Sequence, residues 1–448
     1  MDDFLHSKST EIGAPINSAL FASQLDQEDD LRDFRNEFNF PPAPASSGRE
    51  KSIYLCGNSL GLQPKGLQRQ IEIQLEKWSE QGVEAHFDEP TPWMTIDDIV
   101  VDSVARLVGA KPEEVVVMNS LTTNLHLMMS AFYKPTAERF KIITEKRAFP
   151  SDTHAVTSQI KLHGFDPAVA LVEVGPRDGE ATLRMEDIID TIRSHGDSLA
   201  LVMFSGVQYG TGQFFDIPAI TNAAHAVGAV AGFDMAHAAG NVPLSLHDWG
   251  CDFACWCSYK YLNSGPGCIG GCFVHEKNSK VTRRDDGTLD FGNRLSGWWG
   301  HRVEDRFEMD PDFIPIPGAY GFRLSNPPVV CVACVRASLD LFDRAGGMPV
   351  LREKSLRLTG YLDYLLRTEL SAEVSIFTPA NPAERGCQLS LTFKKGDIDN
   401  IFDTLKAQGV VCDKRKPNIM RIAPTPLYNS FMDVFEFVST LKSIMADL

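Results

Sequence analysis

Short apolar runs alternate with helical patterns through the middle of this chain. The runs have the length and composition of buried strands and occur at residues 115–118, 141–143, 168–172, 199–204, 229–233, 253–257 and 269–274. Patterns of helical period fall between them, at residues 121–132, 152–163, 185–194 and 217–227. Because strands that alternate with helices usually form a sheet covered on both faces, the pattern predicts an α/β fold with a mostly parallel central sheet.

Two further parts flank this region. Residues 1–50 are polar and acidic, with a predicted helix over 19–38 followed by a proline-rich linker. Beyond a loop-rich stretch at 278–317, helical patterns at 328–345 and 348–370 and later strand and helix patterns predict a smaller C-terminal α/β domain. We therefore divide the chain into an N-terminal helical and linker segment (1–50), a large domain (51–325) and a small domain (326–448).

Composition narrows the class of protein. The chain has 448 residues, 43% of them apolar and 23% charged, which is typical of a globular protein of about two domains. The net charge of −16 argues against nucleic acid or an anionic membrane as a partner. No apolar run is long enough to span a bilayer and no secretory signal opens the sequence, so we expect a soluble cytoplasmic protein.

The ten cysteines predict neither a disulfide scaffold nor a metal site. Most lie in apolar runs, where a free cysteine packs as a small apolar side chain. Cys331 and Cys334 form a C-x-x-C pair, but no second pair accompanies it at the spacing of a zinc ribbon. We expect burial of this pair and no bound metal.

Lys260 is the most unusual residue of the sequence. It lies in the apolar and aromatic run FACWCSYKY at 253–261, which ends in a glycine-rich turn. A lysine in such a run either extends its side chain so that the amine reaches water, or has a function for the amine. Asp234 ends the preceding apolar run. A carboxylate at the end of one strand and a lysine just past the next suit a pyridoxal phosphate enzyme, in which lysine forms a Schiff base and aspartate pairs with the pyridinium nitrogen.

Two other segments could serve the same cofactor. Thr122 opens a predicted helix after the strand at 115–118, where free amides and hydroxyls can bind phosphate, although an ordinary helix cap has the same pattern. Phe149 precedes another helix and could stack on a cofactor ring, although packing in the core would explain it equally well.

A competing motif is GNSLG at residues 57–61, which matches the G-x-S-x-G turn of serine hydrolases and would make Ser59 a nucleophile. The strands and oxyanion loop that precede such a turn are missing from the polar segment upstream. The glycine-rich segment at 265–271 opens a strand rather than a helix, so it does not support a nucleotide cofactor.

Taken together, eight segments in order resemble the kynureninase family, in the class V branch of fold type I pyridoxal phosphate enzymes. They are LCGNSLGLQP at 55–64, NSLT at 119–122, FPSD at 149–152, DMAHAAGN at 234–241, SYKY at 258–261, GWWGH at 297–301, SNPP at 325–328 and RIAPTPLYNS at 421–430. Only about the first fifty residues lie outside the resemblance.

The resemblance implies a role for each matching residue. Lys260, Asp234 and Tyr259 would be catalytic. The cofactor-binding set would comprise Leu121, Thr122, Phe149, Pro150, Ser151, Asp152, Ser205, Asp234, His237, Tyr259 and Lys260, with Trp298 and Asn326 supplied by a second subunit. Arg421 would hold the substrate carboxylate in a two-pronged contact, and His86, Ser59, His301 and Asn326 would surround the aromatic amine. The last four could equally be ordinary structural groups.

The implied reaction is hydrolysis of the Cβ–Cγ bond of L-kynurenine or L-3-hydroxykynurenine to L-alanine and anthranilate or 3-hydroxyanthranilate, in tryptophan catabolism and NAD biosynthesis. It implies a homodimer with shared sites and a small amino acid as substrate. We favour the 3-hydroxy substrate, because Ser325 beside Asn326 resembles the eukaryotic form. The alternatives are cysteine desulfuration or transamination on the same cofactor, a cofactor-free hydrolase using Ser59, or a silent relative that only binds partners.

Overall fold

The computed structural model describes residues 1–309 and 311–448. Its α-helices are α1 Asp2–Ile12, α2 Ala19–Gln27, α3 Gly66–Gln81, α4 Asp98–Val108, α5 Leu121–Phe132, α6 Pro150–Leu162, α7 Pro167–Ala170, α8 Met185–Ser194, α9 Ile217–Ala226, α10 Val329–Arg344, α11 Gly347–Glu369, α12 Ile398–Ala407 and α13 Phe431–Ala446. Across the described ranges, no helix has the length and apolar character needed to cross a membrane.

The strands are short, and several have only two residues. They are β1 Phe38–Asn39, β2 Ile53–Tyr54, β3 Gln63–Pro64, β4 Val115–Val117, β5 Lys141–Glu145, β6 Leu171–Val174, β7 Leu199–Ser205, β8 Val230–Asp234, β9 Phe253–Trp256, β10 Gly271–Val274, β11 Thr282–Arg283, β12 Leu289–Asp290, β13 Val374–Ile376, β14 Leu389–Phe393, β15 Val410–Val411, β16 Asp413–Arg415 and β17 Ile419–Ile422.

Seven strands form the central sheet, in the order β4-β10-β9-β8-β7-β5-β6. The neighbours from β9 to β6 pair in parallel, whereas β10 runs antiparallel to both β9 and β4. No helix lies between β9 and β10, and such a direct connection favours an antiparallel pair. The predicted α/β fold with a mostly parallel sheet is confirmed.

Helices cover both faces of this sheet, because successive side chains of a strand point to opposite faces. Val202 and Phe204 of β7 belong to the apolar cluster that includes α3, α4 and α10. Leu201 and Met203, their neighbours in the chain, belong to the cluster formed with α5 and α6. All four side chains are buried, which accounts for the continuous apolar run in the sequence.

A second sheet, of order β13-β14-β17-β16, is antiparallel throughout and lies in the C-terminal part. Its apolar face packs with α11, α12 and α13, and the same cluster contains Leu5 and Phe21 from the N-terminal segment. The buried Lys354 ammonium of α11 pairs with the Asp29 carboxylate at 2.7 Å. The N-terminal segment is therefore packed into the C-terminal part of the fold.

Helix α10 packs differently from the rest of the C-terminal part. Although it falls in the predicted small-domain range of 326–448, its buried residues Val332, Val335 and Leu339 belong to the large cluster with α3 and α4. The three ranges derived from the sequence remain a prediction.

Local differences from the sequence prediction have simple causes. The helix expected over 19–38 ends at Gln27, and a separate 3-10 helix covers Arg32–Glu37, because the Asp29 side chain accepts from the Leu31 amide and forms a turn. The strand expected at 168–172 begins instead at Leu171, since Asp166 caps a helical turn that has proline at its first position. The proline-rich segment pairs with residues 50–52 as a hairpin rather than forming a linker.

Candidate active site

The carboxyl ends of the parallel strands meet at one edge of the central sheet. Glu145 ends β5, Ser205 ends β7 and Asp234 ends β8. Asp234 lies opposite Ser205 in the register of β7 and β8, and the segment that carries Lys260 follows β9 directly. In open α/β sheets this edge is where ligands bind.

A cavity of about 350 Å³ opens at this edge and is called the active-site cavity below. Its volume lies within the range of sites for small molecules and cofactors. It is lined by Asn58, Ser59, Ser120, Leu121, Thr122, Phe149, Ser151, Asp152, Ser205, Val207, Tyr209, Asp234, Ala236, His237, Tyr259, Lys260, Arg415 and Arg421. The structure thus brings together most of the cofactor-binding residues expected from the sequence, together with Ser59 and Arg421.

Lys260 directs its amine into this cavity. Its Nζ lies 5.7 Å from the centroid of the Phe149 ring and 6.0 Å from that of Tyr259. Asp234 is buried on the same wall, and its Oδ1 accepts a hydrogen bond of 2.7 Å from the Ala236 amide. Of the two explanations for a lysine in an apolar run, the structure favours use of the amine.

Three carboxyl groups lie close together at the cavity: Asp234 and Asp152 on its wall, and Glu145 next to them. Burial, and secondly the charge of Asp234, raises the pKa of Asp152 well above its usual range. Burial also raises the pKa of Glu145 to about 7, although Ser205 donates to its Oε1 at 2.6 Å. Such a cluster is suited to a cationic ring, because a nearby positive charge stabilises ionised carboxylates.

Three buried polar atoms on residues that line the cavity have no hydrogen-bond partner within the described ranges: Asn58 Oδ1, Asp152 Oδ1 and His237 Nδ1. Burial lowers the pKa of His237 well below its usual range, and the charges of Lys260 and Arg421 act in the same direction. A neutral imidazole can donate from one nitrogen and accept at the other. These unpaired groups fit a polar ligand such as pyridoxal phosphate, which has a pyridine nitrogen, a phenolic oxygen and an aldehyde.

The start of α5 could hold the phosphate of such a ligand. The N-cap residue Ser120 makes no side-chain cap to the helix amides, so the first-turn amides near Leu121 and Thr122 are left for an anion. The Thr122 and Ser151 hydroxyls lie 2.7 Å apart beside them. Tyr259 lines the cavity as well, and burial raises the pKa of its phenol, which keeps the hydroxyl available as a donor.

Five of the expected substrate or cofactor residues lie outside the active-site cavity. Trp298, His86 and Asn326 line a second pocket, of about 410 Å³, which also contains Val83, Phe87, Met94, Trp299, Phe307, Leu324 and Ser325 and is called the aromatic pocket below. His301 lines neither; it is buried, with Nε2 3.2 Å from Asp305 Oδ1. Pro150 is also absent from the cavity wall and is the first residue of α6.

The surroundings of the GNSLG motif do not support Ser59 as the nucleophile of a serine hydrolase. Ser59 lines the active-site cavity, but in the described part of the chain no histidine hydrogen bonds to its hydroxyl, and β3 rather than a helix follows it. The glycines of the motif allow close packing instead: a Cβ at Gly57 would collide with Tyr428, and one at Gly61 with the Lys260 carbonyl.

All ten cysteines are free thiols, and every one except the half-buried Cys331 is buried. Cys331 and Cys334 lie on α10, where Cys331 O accepts from the Cys268 thiol at 3.4 Å. An exposed nucleophilic thiol of the kind a desulfurase needs is therefore not among them.

Several lining or supporting residues were not found from the sequence: Glu145, Tyr209, Asp413 and Arg415. Glu145 offered a signal, since an acidic residue ends the strand run KIITE at 141–145. Tyr209 offered none, because its backbone oxygen reaches Arg421 Nη1 only through a contact between residues 212 positions apart.

Similarity to known proteins identifies the family of this chain. The sequence profile described as "Aminotransferase class-V" matches residues 53–284, and the one described as "Kynureninase C-terminal domain" matches residues 351–441. Among curated relatives, the chain is 54% identical to a kynureninase of Myxococcus xanthus over 95% of this chain and 97% of that protein. It is 52% identical to a kynureninase of Koribacter versatilis over 93% and 96% of the two chains.

Solved structures support the fold alone, because their identities are low. A C-DES mutant with glycine covalently linked to pyridoxal phosphate superposes with a TM-score of 0.72 at 15% identity, covering 89% of this chain and 97% of the other. A cysteine desulfurase of Thermococcus onnurineus gives 0.70 at 17% identity, with coverage of 89% and 95%.

The fold, the donor set of the cavity and the matches to both profiles identify pyridoxal phosphate as the cofactor. Identity above 50% over more than nine-tenths of the sequence distinguishes this chain from the distant desulfurases. The chain belongs to the kynureninase family.

Proposed function

We propose that this chain hydrolyses the Cβ–Cγ bond of L-kynurenine and L-3-hydroxykynurenine, with water as the second substrate. The products are L-alanine and anthranilate or 3-hydroxyanthranilate, which places the enzyme in tryptophan catabolism and NAD biosynthesis. The observation that carries the proposal is one cavity lined by Lys260, Asp234 and Arg421, in a chain 54% identical to a kynureninase.

Pyridoxal phosphate, when bound, supplies an electron sink that stabilises negative charge developing on the substrate carbons. Lys260 would hold the cofactor through its amine, and the same amine, once free, would remove the Cα proton of the substrate. Asp234, whose orientation is fixed by the bond to the Ala236 amide, would keep a proton on the pyridine nitrogen. Phe149 would cover one face of the ring, while Asp152, Ser205 and His237, which line the same cavity, would bind its polar edge.

The first turn of α5 would hold the phosphate through Leu121 and Thr122, with Ser151 and Tyr259 beside it. Tyr259 would also present a hydroxyl near the reacting carbons, and burial raises the pKa of its phenol, so this group stays protonated as a hydrogen-bond donor. Arg421 binds the α-carboxylate of the amino acid, and Ser59 lies on the wall where the rest of the substrate extends.

The enzyme acts as a homodimer in which the aromatic pocket of one subunit covers the active-site cavity of the other. The support is the exposure of large apolar side chains around that pocket: Phe87 is 56% exposed, Phe307 50% and Trp298 47%. A cluster of this kind on a protein surface marks an interface. Trp298 and Asn326 would then reach the partner's cofactor, and His86, His301 and Asn326 would surround the aromatic amine.

Mixing two inactive variants tests this sharing of sites. Lys260→Ala removes the amine, and Trp298→Ala combined with Asn326→Ala removes the contributions across the interface. In a hybrid dimer one site regains both parts, so activity returns when the two variants are denatured and refolded together. A monomer in sedimentation analysis, or a mixture no more active than its components, would refute a shared site.

The reaction itself is tested by absorption and product analysis. We expect a visible absorption band that borohydride abolishes and that Lys260→Ala lacks, and release of alanine from kynurenine. A colourless protein, or one that releases sulfide from cysteine but no alanine from kynurenine, would overturn the proposal.

Two finer points extend the proposal. We expect a higher kcat/KM for 3-hydroxykynurenine than for kynurenine, because Ser325 and Asn326 offer polar groups to a ring hydroxyl; equal or better turnover of kynurenine would count against it. We also place the enzyme in the cytoplasm, where its ten free thiols stay reduced, and cell fractionation tests this location.

A further inference from the structure

Three charged residues on two paired strands stand at one end of the active-site cavity. In the antiparallel pair β16 and β17, Asp413 lies directly opposite Arg421. Arg415 is two residues beyond Asp413 and so points to the same side of the strand. Arg415 and Arg421 line the cavity, whereas Asp413 lies behind them.

Asp413 and the Tyr209 carbonyl hold the Arg421 guanidinium in place. Its Nε donates to Asp413 Oδ1 at 2.6 Å and its Nη2 donates to Asp413 Oδ2. Its Nη1 donates to the Tyr209 carbonyl oxygen at 2.9 Å. A guanidinium has five N–H groups, so one on Nη1 and one on Nη2 remain. Together they can form the two parallel bonds that a carboxylate accepts.

The net charge of Arg421 and Asp413 gives the second arginine, Arg415, a role. Arg421 and Asp413 neutralise one another, and a neutral pair would attract an anionic substrate weakly. The Arg415 guanidinium, with Nη2 3.3 Å from Asp413 Oδ2, returns a net positive charge to the group. Its side chain is 38% exposed, against 2% for Arg421, so Arg415 lies nearer the solvent.

We propose that Asp413 and Arg415 complete the recognition of the substrate carboxylate. Asp413 is a positioning residue that fixes the guanidinium of Arg421 and leaves its Nη1 and Nη2 hydrogens for the carboxylate. Arg415 supplies the net positive charge that draws the carboxylate in. The inference rests on the proposed function, since it concerns the residue assigned there to the α-carboxylate.

The test compares two ligands that differ only in this carboxylate: a non-hydrolysed kynurenine analogue and the corresponding amine without the carboxylate. Their dissociation constants are measured on the holoenzyme of Asp413→Asn, Arg415→Gln and wild type, from the change in cofactor absorbance. Asp399→Asn is the matched control, because Asp399 also pairs with a basic residue of β16, Lys414, but is 67% exposed.

We expect Asp413→Asn to weaken binding of the carboxylate ligand by about tenfold or more, the effect of losing one charge-assisted hydrogen bond. Arg415→Gln should weaken it by about threefold to tenfold, with a smaller effect at high salt, where charge is screened. Binding of the amine should stay within about twofold for both variants, since each lost contact concerns the carboxylate alone. The Asp399→Asn control should match wild type for both ligands.

Unchanged binding of the carboxylate ligand in Asp413→Asn, or equal weakening of both ligands, overturns the inference. If Asp413→Asn does not fold, Arg415→Gln provides the test. A ratio of the dissociation constants of the carboxylate ligand and the amine that equals the wild-type ratio would then refute the inference. Wild-type turnover of kynurenine reports separately on the proposed function. A wild type that binds the carboxylate ligand in the expected way but releases no alanine would therefore refute the reaction and leave the recognition unit supported.

Discussion

Replacing Gly61 by alanine should reduce activity without touching a reacting group. Gly61 is the second glycine of the GNSLG motif, and its amide donates to the Tyr259 carbonyl oxygen at 2.9 Å. The two segments are packed so closely that a Cβ on Gly61 would lie 2.8 Å from Asn263 Cα and closer still to the Lys260 carbonyl oxygen.

The size of the effect follows from these contacts. Non-bonded carbon atoms approach to about 3.5 Å at their optimum, so the segment of Asn263 must retreat by about 0.7 Å and the Lys260 carbonyl by about 1 Å. Misplacing a reacting group by about 1 Å can lower the rate about 100-fold. Overpacking of this kind also costs about 1–3 kcal/mol of stability. We expect kcat to fall about 10- to 100-fold, although the Lys260 side chain itself is unchanged.

The assay is steady-state turnover of kynurenine, with the visible absorption of the cofactor and thermal unfolding recorded on the same samples. Gly66→Ala is the control, because nothing lies within 4 Å of a Cβ at that position at the start of α3. It should keep full activity and gain up to about 1 kcal/mol of stability. A Gly61→Ala enzyme with kcat within threefold of wild type would show that the close approach does not position Lys260.

Three other outcomes are expected. Asp97→Ala leaves the buried Arg323 without the partner it meets at 2.7 Å, so denaturant unfolding should show a loss of about 3–5 kcal/mol, and a loss below 1 kcal/mol would refute this account. Burial raises the pKa of Glu145 to about 7 from 4.5, so its folded form retains a proton that the unfolded chain releases. As the pH rises from about 4.5 to 7, the free energy of unfolding of cofactor-free wild-type protein should therefore fall by on the order of 3 kcal/mol more than that of Glu145→Gln. Parallel curves of stability against pH for the two proteins would contradict the assigned pKa. Ser59→Ala should raise KM by less than about tenfold through loss of one hydrogen bond, whereas complete loss of turnover with cofactor bound would restore the nucleophile hypothesis.

Much of the cofactor site could be predicted from the sequence because its residues follow strands of a regular sheet. Asp234 and Lys260 come at the ends of adjacent parallel strands, and adjacent strands end at the same edge. Thr122 and Phe149 open helices that start at that edge. The local pattern was sufficient there, since each residue is positioned by its own strand–turn–helix unit.

The supporting contacts could not be predicted in the same way. The Asn58 amide meets Gln388 across 330 positions, and Tyr209 meets Arg421 across 212. The N-terminal segment gave no sign that Arg35 would bind Asp433 and the Tyr428 carbonyl. Such pairs depend on how the C-terminal part docks against the large sheet, which no periodicity records.

By itself, the sequence determined the α/β class, the order of strands and helices along the chain, and the lysine and aspartate that we propose for the cofactor, because hydrophobic period and strand ends are local properties. The tertiary structure alone decided that β10 runs antiparallel, that the N-terminal segment packs against α11 and α13, and that Asp413 stands behind Arg421. It also separated the aromatic pocket from the active-site cavity. These features arise from packing between segments far apart in the chain, where shape and charge, rather than local pattern, select the partner.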